Sequence, residues 1–340
     1  MIDFRYHLVS IVAVFLALAI GLVVGSTALQ GNVVTALNNA SAAEARQNRA
    51  LYAHNSQLKA QIAADEAFAQ AGERGLVHGL LDGQRVVLVL APNADGPTVD
   101  GVTRALQEAG ATVTGQVVLT SQFFDAGTVT EQQLTNTAKS LAPPGVSLPT
   151  SPTQPQISGQ QAAAQVISAA IANKDGVATL SAQQTQQILT GFANAGFLQV
   201  NGPGGSSLLS GQATMAVVIV PGTVPPAKTS GPFNLALVSL AQDLQETSKG
   251  ALLAGPLLGS GPRSAIDAVN SGAAGVTLTT VDNADTVAGQ IIVAQALNEL
   301  LEPNATPAAY GVRPHAVPSP APSATPSPSA NPSHSTRKKK

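Results

Sequence analysis

The sequence predicts an α/β protein: a single N-terminal transmembrane helix, a coiled-coil stalk, and a Rossmann-like layered domain with a mostly parallel sheet. Three observations carry this expectation. No charged residue occurs from Leu8 to Leu29, and neither Pro nor Gly occurs from Val33 to Phe68. Beyond residue 80, short continuous apolar runs alternate with amphipathic stretches, the pattern of buried parallel strands joined by helices. The expected boundaries are 1–30 for the cytoplasmic flank and membrane helix, 31–75 for the stalk, 76–310 for the α/β domain, and 311–340 for a tail.

The 22 uncharged residues from Leu8 to Leu29, at about 1.5 Å each, make a helix of roughly 33 Å, enough to cross a hydrocarbon core of about 30 Å. A signal-peptide core usually runs about 7–15 residues, so length favours a retained anchor, although Ser26-Thr27-Ala28 is a small-x-small triplet that a signal peptidase accepts. Arg5, Asp3 and the terminal amine precede the span, and no charge follows it until Glu44. The positive-inside rule then puts the N-terminus in the cytoplasm and the bulk of the chain outside. Ala13, Ala17, Gly21 and Gly25 recur every fourth residue, and Gly21–Gly25 matches GxxxG. Such a stripe lets two helix backbones approach in lipid; the abundance of Ala and Gly in membrane helices explains it equally well.

Leu37, Leu51 and Leu58 keep a seven-residue spacing, with Glu44 filling one turn of that seam; Asn48, Asn55 and Ile62 fall on the companion seam. Apolar residues punctuated by Asn read as a weak parallel coiled coil, in which buried Asn pairs set register at a cost in stability. This favours a homo-oligomer held through the membrane helix and the coil over a lone amphipathic stalk. Gly72 and Gly75 are expected to end the helix.

"GQRVVLVLAP" opens the body as a strand buried on both faces. "NADGP" turns, Thr98 is placed to cap a helix burying Val99, Val102, Leu106 and Ala109, and "ATVTGQVVL" is the next strand, completing a βαβ unit. Thr130-Glu-Gln-Gln133 matches a capping box, as does Ser181-Ala-Gln-Gln184. Between the helices they open lies a loop or linker at 142–159 with five prolines, followed by a helix over Gln160–Ile171. "FLQVN", "MAVVIV", "ALLAGP" and "GVTLTTVD" are further strands. "FNLALVSLAQDLQ", "RSAIDAVNSG" and Thr286–Leu301 are further helices.

The tail from Gly311 is rich in Pro and Ser without apolar periodicity, so it is expected to be disordered or polyproline-like. Its terminal Arg337-Lys338-Lys339-Lys340 supplies four of the 17 basic residues, leaving 13 against 19 acidic ones. A mildly acidic body argues against nucleic-acid binding. The basic end suits a solubilising terminus or contact with anionic lipid or an envelope polymer.

There is no cysteine, which removes disulfides, thiolate metal sites and cysteine nucleophiles. The histidines are scattered. Neither GxGxxG, a Walker sequence, GxSxG nor HExxH occurs, and "GPLLGSGP" lacks the Lys-Ser/Thr of a phosphate loop. No catalytic constellation emerges, so an enzyme is not expected, and no resident cofactor. Open α/β sheets bind ligands beyond the carboxyl ends of their strands. There Asp95, Asp282 and Asp285 are weak candidates for a metal or anion site, with helix capping as the plainer role for Asp282 and Asp285.

"MIDFRYHLVSIVAVFLALAIGLVVGS", "VVLVLAPNADGPTVDGVTRALQEAGATVTGQVVLTSQFFD" and "TVDNADTVAGQIIVAQALNELL" with Tyr310-Gly311 resemble the actinobacterial copper transporter family MctB over most of residues 1–311. The first and last blocks are the distinctive ones. The resemblance implies copper homeostasis in the envelope through a pore-forming outer-membrane protein, with copper as the transported species. Copper(I) selects Cys and Met and copper(II) selects clustered His. With one internal methionine, Met215, no tight resident copper site is expected.

Overall fold

In the computed structural model, the described residues are 4–148, 158–175, 179–314 and 316–320, with side chains described from Tyr6 to Ser26 and from Thr35 onward. The basic tail end, the side chains of Thr27 and Ala28, and the middle of the Pro-rich loop lie outside the described residues. The chain divides into two compact units, 1–65 and 66–340.

Helix α1 spans Phe4–Val77. Its segment Tyr6–Ser26, with a mean hydropathy of 2.9, is long and apolar enough to cross a membrane. In the first unit its apolar side chains are exposed, including Leu37, Leu51, Leu58 and Ile62. Gly72 and Gly75 do not end the helix. They lie within its last turns, and the stop comes at Gly79, whose φ of +78° is a left-handed conformation suited to glycine.

The second unit is built on seven strands: β1 (Arg85–Leu90), β2 (Thr112–Leu119), β3 (Leu198–Asn201), β4 (Met215–Ile219), β5 (Gly250–Ala254), β6 (Thr279–Val281) and β7 (Ala309–Tyr310). They form one sheet in the order β3-β2-β1-β4-β5-β6-β7. All neighbours pair in parallel except β2 and β3. The "RVVLVL" run is continuous because both faces of β1 are covered. Val87 and Val89 join a core with α3 (Thr128–Leu141), α4 (Ser158–Ile171), α5 (Ala182–Asn194), α6 (Ser230–Thr247) and α7 (Ala265–Asn270). Val86, Leu88 and Leu90 join a second core with α2 (Gly96–Glu108) and α8 (Val287–Glu299).

Three expected caps are placed differently. Asp95, not Thr98, caps α2: its Oδ2 accepts from the Thr98 amide at 3.0 Å and the Thr98 hydroxyl at 2.7 Å. Pro97 occupies the first helical turn, where no amide hydrogen is needed. The Thr130 capping box does not form, because α3 starts earlier, after Gly127. The Thr130 hydroxyl instead donates to Asp125, which also accepts from the Gly127 amide. At α8 the cap is Thr286, not Asp282 or Asp285. The Ser181 box forms with both reciprocal bonds.

The last turns of α1, from Glu66, belong to the second unit. The Val287 amide at the start of α8 donates to the Glu66 carboxylate at 2.9 Å. Buried Glu73 lies 3.6 Å from the Arg104 guanidinium, which also donates to Gln290 Oε1 at 2.9 Å. Burial pushes the Glu73 carboxyl up, Arg104 opposes this, and Glu108 adds to it.

Partly buried Asp243 on α6 has its carboxyl pushed up to about 7, by burial first and by the Glu246 charge second. The folded state therefore favours the neutral acid. Its stabilisation is complete below the ordinary aspartate range and is lost as pH rises through about 7. Asp243→Asn is expected to be the more stable form at pH 8 by a few kcal/mol, each pKa unit being worth about 1.4 kcal/mol. The advantage shrinks towards pH 4. Chemical denaturation at the two pH values measures it, and an equal difference at both refutes it.

Candidate functional site at the carboxyl edge of the sheet

After β1 the chain crosses to one face of the sheet through α2, and after β4 to the other through α6. Loops 91–95 and 220–229 thus diverge at the β1–β4 boundary, the topological switch point where doubly wound sheets take ligands. The two loops are tied by a bond from the Gly222 amide to the Asn93 carbonyl at 2.8 Å. Asn93 itself has φ +59°, a left-handed turn that asparagine tolerates.

A cleft of about 540 Å³ opens at this point. Phe124, after β2, and Phe233, on α6, stack at 4.1 Å between centroids and 27° between planes. Pro92, Pro221, Pro225, Pro226 and Pro232 also line the cleft. Asn93, Ser121, Thr223 and Lys228 stand exposed along it. The result is an apolar, aromatic and proline-rich surface bordered by hydrogen-bond donors. The sequence pattern does not reveal the aromatic pair. The available signal was scarcity: the chain has eight phenylalanines and no tryptophan, and three of them, Phe123, Phe124 and Phe233, meet beside this edge.

The candidate carboxylates are not brought together. Asp95 follows β1 and Asp282 follows β6, with β4 and β5 between them, a separation of roughly 14 Å at about 4.8 Å per strand. Each is engaged by the protein itself. Asp95 caps α2. Asp282 is fully buried and accepts from the Val312 amide at 2.9 Å and the Arg313 amide at 3.1 Å. Asp285 accepts from the Leu257 amide at 3.0 Å. Among the described residues, no three His, Cys, Asp or Glu side chains converge in a way that could hold a metal ion. Met215 is buried in β4.

The segment Thr280–Gln290 is a structural clasp. Asp282 holds residues 312–313, Asp285 holds the loop after β5, Thr286 caps α8, and Val287 receives Glu66. Gln290 packs against Gly101, where a Cβ would lie 2.2 Å from its Nε2. The distinctiveness of "TVDNADTVAGQ" thus has a physical basis in four separate tertiary ties.

On α1, Ala17, Gly21 and Gly25 lie within the apolar segment, and a Cβ added at either glycine would meet nothing within 4 Å. Asn48 and Asn55 are exposed, as are Leu51 and Leu58.

Fold and site together define a protein with a single membrane-type helix among the described residues and a doubly wound α/β head bearing an apolar switch-point cleft. Residues 1–320 match the family described as "Copper transport outer membrane protein, MctB". The chain is 30% identical over 312 residues to copper transporter MctB of Mycobacterium bovis and of Mycobacterium tuberculosis, covering 88% of this chain and 93% of each relative. To copper transporter MctB of Mycobacterium leprae it is 31% identical over 315 residues, covering 92% and 96%. The chain belongs to the MctB family. These relatives are named as transporters and not as enzymes, and the family description together with the apolar helix places the protein in a membrane or envelope.

Proposed function

We propose that the chain serves copper transport in the cell envelope, with copper as its cargo and its N-terminus on the cytoplasmic side. The observation that carries the reading is the family match, which runs through the membrane helix, the α1 extension and the whole head. Topology rests on the Arg5 flank and the positive-inside rule. A single helix encloses no channel, so conduction requires several copies side by side. The Ala17-Gly21-Gly25 stripe and the exposed seam at Leu37, Leu51, Leu58 and Ile62 support a homo-oligomer built along α1. The same seam favours a second reading, an envelope structural or interaction protein without transport activity of its own.

One experiment separates the two. A strain lacking the chain is expected to accumulate copper, the wild-type chain to restore the lower level, and a Gly21→Leu/Gly25→Leu chain to restore less while cross-linking less in membranes. Unchanged copper on deletion, with envelope components recovered by cross-linking, overturns transport in favour of the second reading. An oligomer that survives both substitutions overturns the helix-packing element alone.

A further inference from the structure

We propose that the switch-point cleft is a docking groove for a proline-rich segment, and that its occupant is the chain's own C-terminal tail, residues 321–340. The chemistry of the groove points to this class of ligand. A polyproline II strand has no internal hydrogen bonds, so it presents its carbonyls to donors and its pyrrolidine rings to flat apolar surfaces. Aromatic-lined grooves bind such strands because little conformational entropy is lost on docking. The cleft supplies both parts: the Phe124–Phe233 stack and neighbouring prolines as the surface, and Asn93, Ser121, Thr223 and Lys228 as exposed donors. No acid-rich or cation-rich pocket competes for a charged small ligand there, since Asp125 and Lys228 contribute one charge of each sign.

The position of the tail supplies the occupant. Its root is fixed at the same edge of the sheet. The Val317 amide donates to the Ala309 carbonyl at 2.8 Å, Arg313 is held by Asp282, and the Arg313 guanidinium donates to the Leu257 carbonyl. One loop bridges root and cleft. A Cβ at Gly261 would lie 3.3 Å from Val224 on the cleft wall and 3.7 Å from Arg313. Beyond Pro320 the sequence carries 20 residues with prolines at 322, 326, 328 and 332. At about 3.1 Å per residue these reach roughly 60 Å, several times the width of the strands between β7 and β4. A tethered segment of this length acts at millimolar effective concentration, so modest affinity suffices for occupancy.

The test uses the chain in phosphatidylcholine nanodiscs, either complete or ending at Pro320, with a fluorescein-labelled peptide of residues 318–336, which omits the basic end. By fluorescence anisotropy, the shortened chain is expected to bind the peptide at least tenfold more tightly than the complete chain, whose own tail competes. Phe233→Ala in the shortened chain should weaken binding at least tenfold. Thr223→Ala and Lys228→Ala, at exposed positions that leave the core intact, should each weaken it severalfold. A peptide with alanine in place of every proline should not bind. Absence of binding to the shortened chain overturns the proposal, as does binding indifferent to both the Phe233 and the rim substitutions. Equal binding to complete and shortened chains overturns the tail as occupant and leaves a groove open to a proline-rich segment from another protein.

Discussion

Asp282→Ala is expected to destabilise the α/β head by about 3–5 kcal/mol, among the largest effects of any single side-chain truncation in the chain. The Asp282 carboxylate is fully buried, and both its oxygens accept main-chain hydrogens, from Val312 and Arg313. Alanine leaves two part-buried amide donors without their acceptor, at about 1–3 kcal/mol each. It also opens a void beside Gly311, whose φ of +131° and missing side chain exist to admit this carboxylate: a Cβ there would meet Asp282 Oδ1 at 2.1 Å. Asn is a poor substitute, since its amide group presents a donor to one of the two amide hydrogens. The melting temperature of the variant should drop by on the order of 10 °C, and residues 311–317 should exchange their amide hydrogens faster. Melting unchanged within 2 °C would show that the two bonds carry no net stability.

Gly289→Ala is expected to cost about 2–4 kcal/mol although it adds one methyl group to a helix. A Cβ at this position would lie 1.9 Å from the Asn283 carbonyl oxygen and 2.5 Å from its carbon, both main-chain atoms without a rotamer to yield. The Gly289 amide also takes the Thr286 cap at 3.0 Å, so relief of the clash draws the first turn of α8 away from its cap. Gly75→Ala in α1 is the matched control. Nothing lies within 4 Å of a Cβ there, and the exchange should be neutral or stabilising by up to about 1 kcal/mol. Equilibrium unfolding of the two variants side by side checks the contrast. If both change stability alike, helix propensity governs and not the close approach.

The sequence made the strands with two covered faces legible. β1, β4 and β5 are continuous apolar runs because no polar alternation is possible between two helical layers, and the Ser181 box is a local pattern that formed as written. What stayed hidden was decided by tertiary geometry. Thr98 and Asp95 were both competent caps for α2, and the choice fell to Asp95 because the helix begins at Gly96. Thr130 lost its box to an earlier start of α3, fixed by Asp125. The antiparallel direction of β3 is not written in four residues, and β7, at two residues, has no period to detect. The cleft joins Phe124 to Phe233 across more than a hundred residues. The carboxylates at 95, 282 and 285 follow β1 and β6 at the carboxyl edge of the sheet, and each accepts from backbone amides that sequence alone does not reveal.

The two ends of the sheet have a consequence for crowding. Both outermost strands are short: β3 has four residues and runs against its neighbour, and β7 has two and is overlaid by the strand-like contact of Val317 with Tyr310. A long parallel edge invites a second copy to add its own strand, the first step towards fibrous aggregation, whereas short or covered edges refuse it. A second copy of the head therefore finds no long open strand at either end of the sheet on which to begin such a stack.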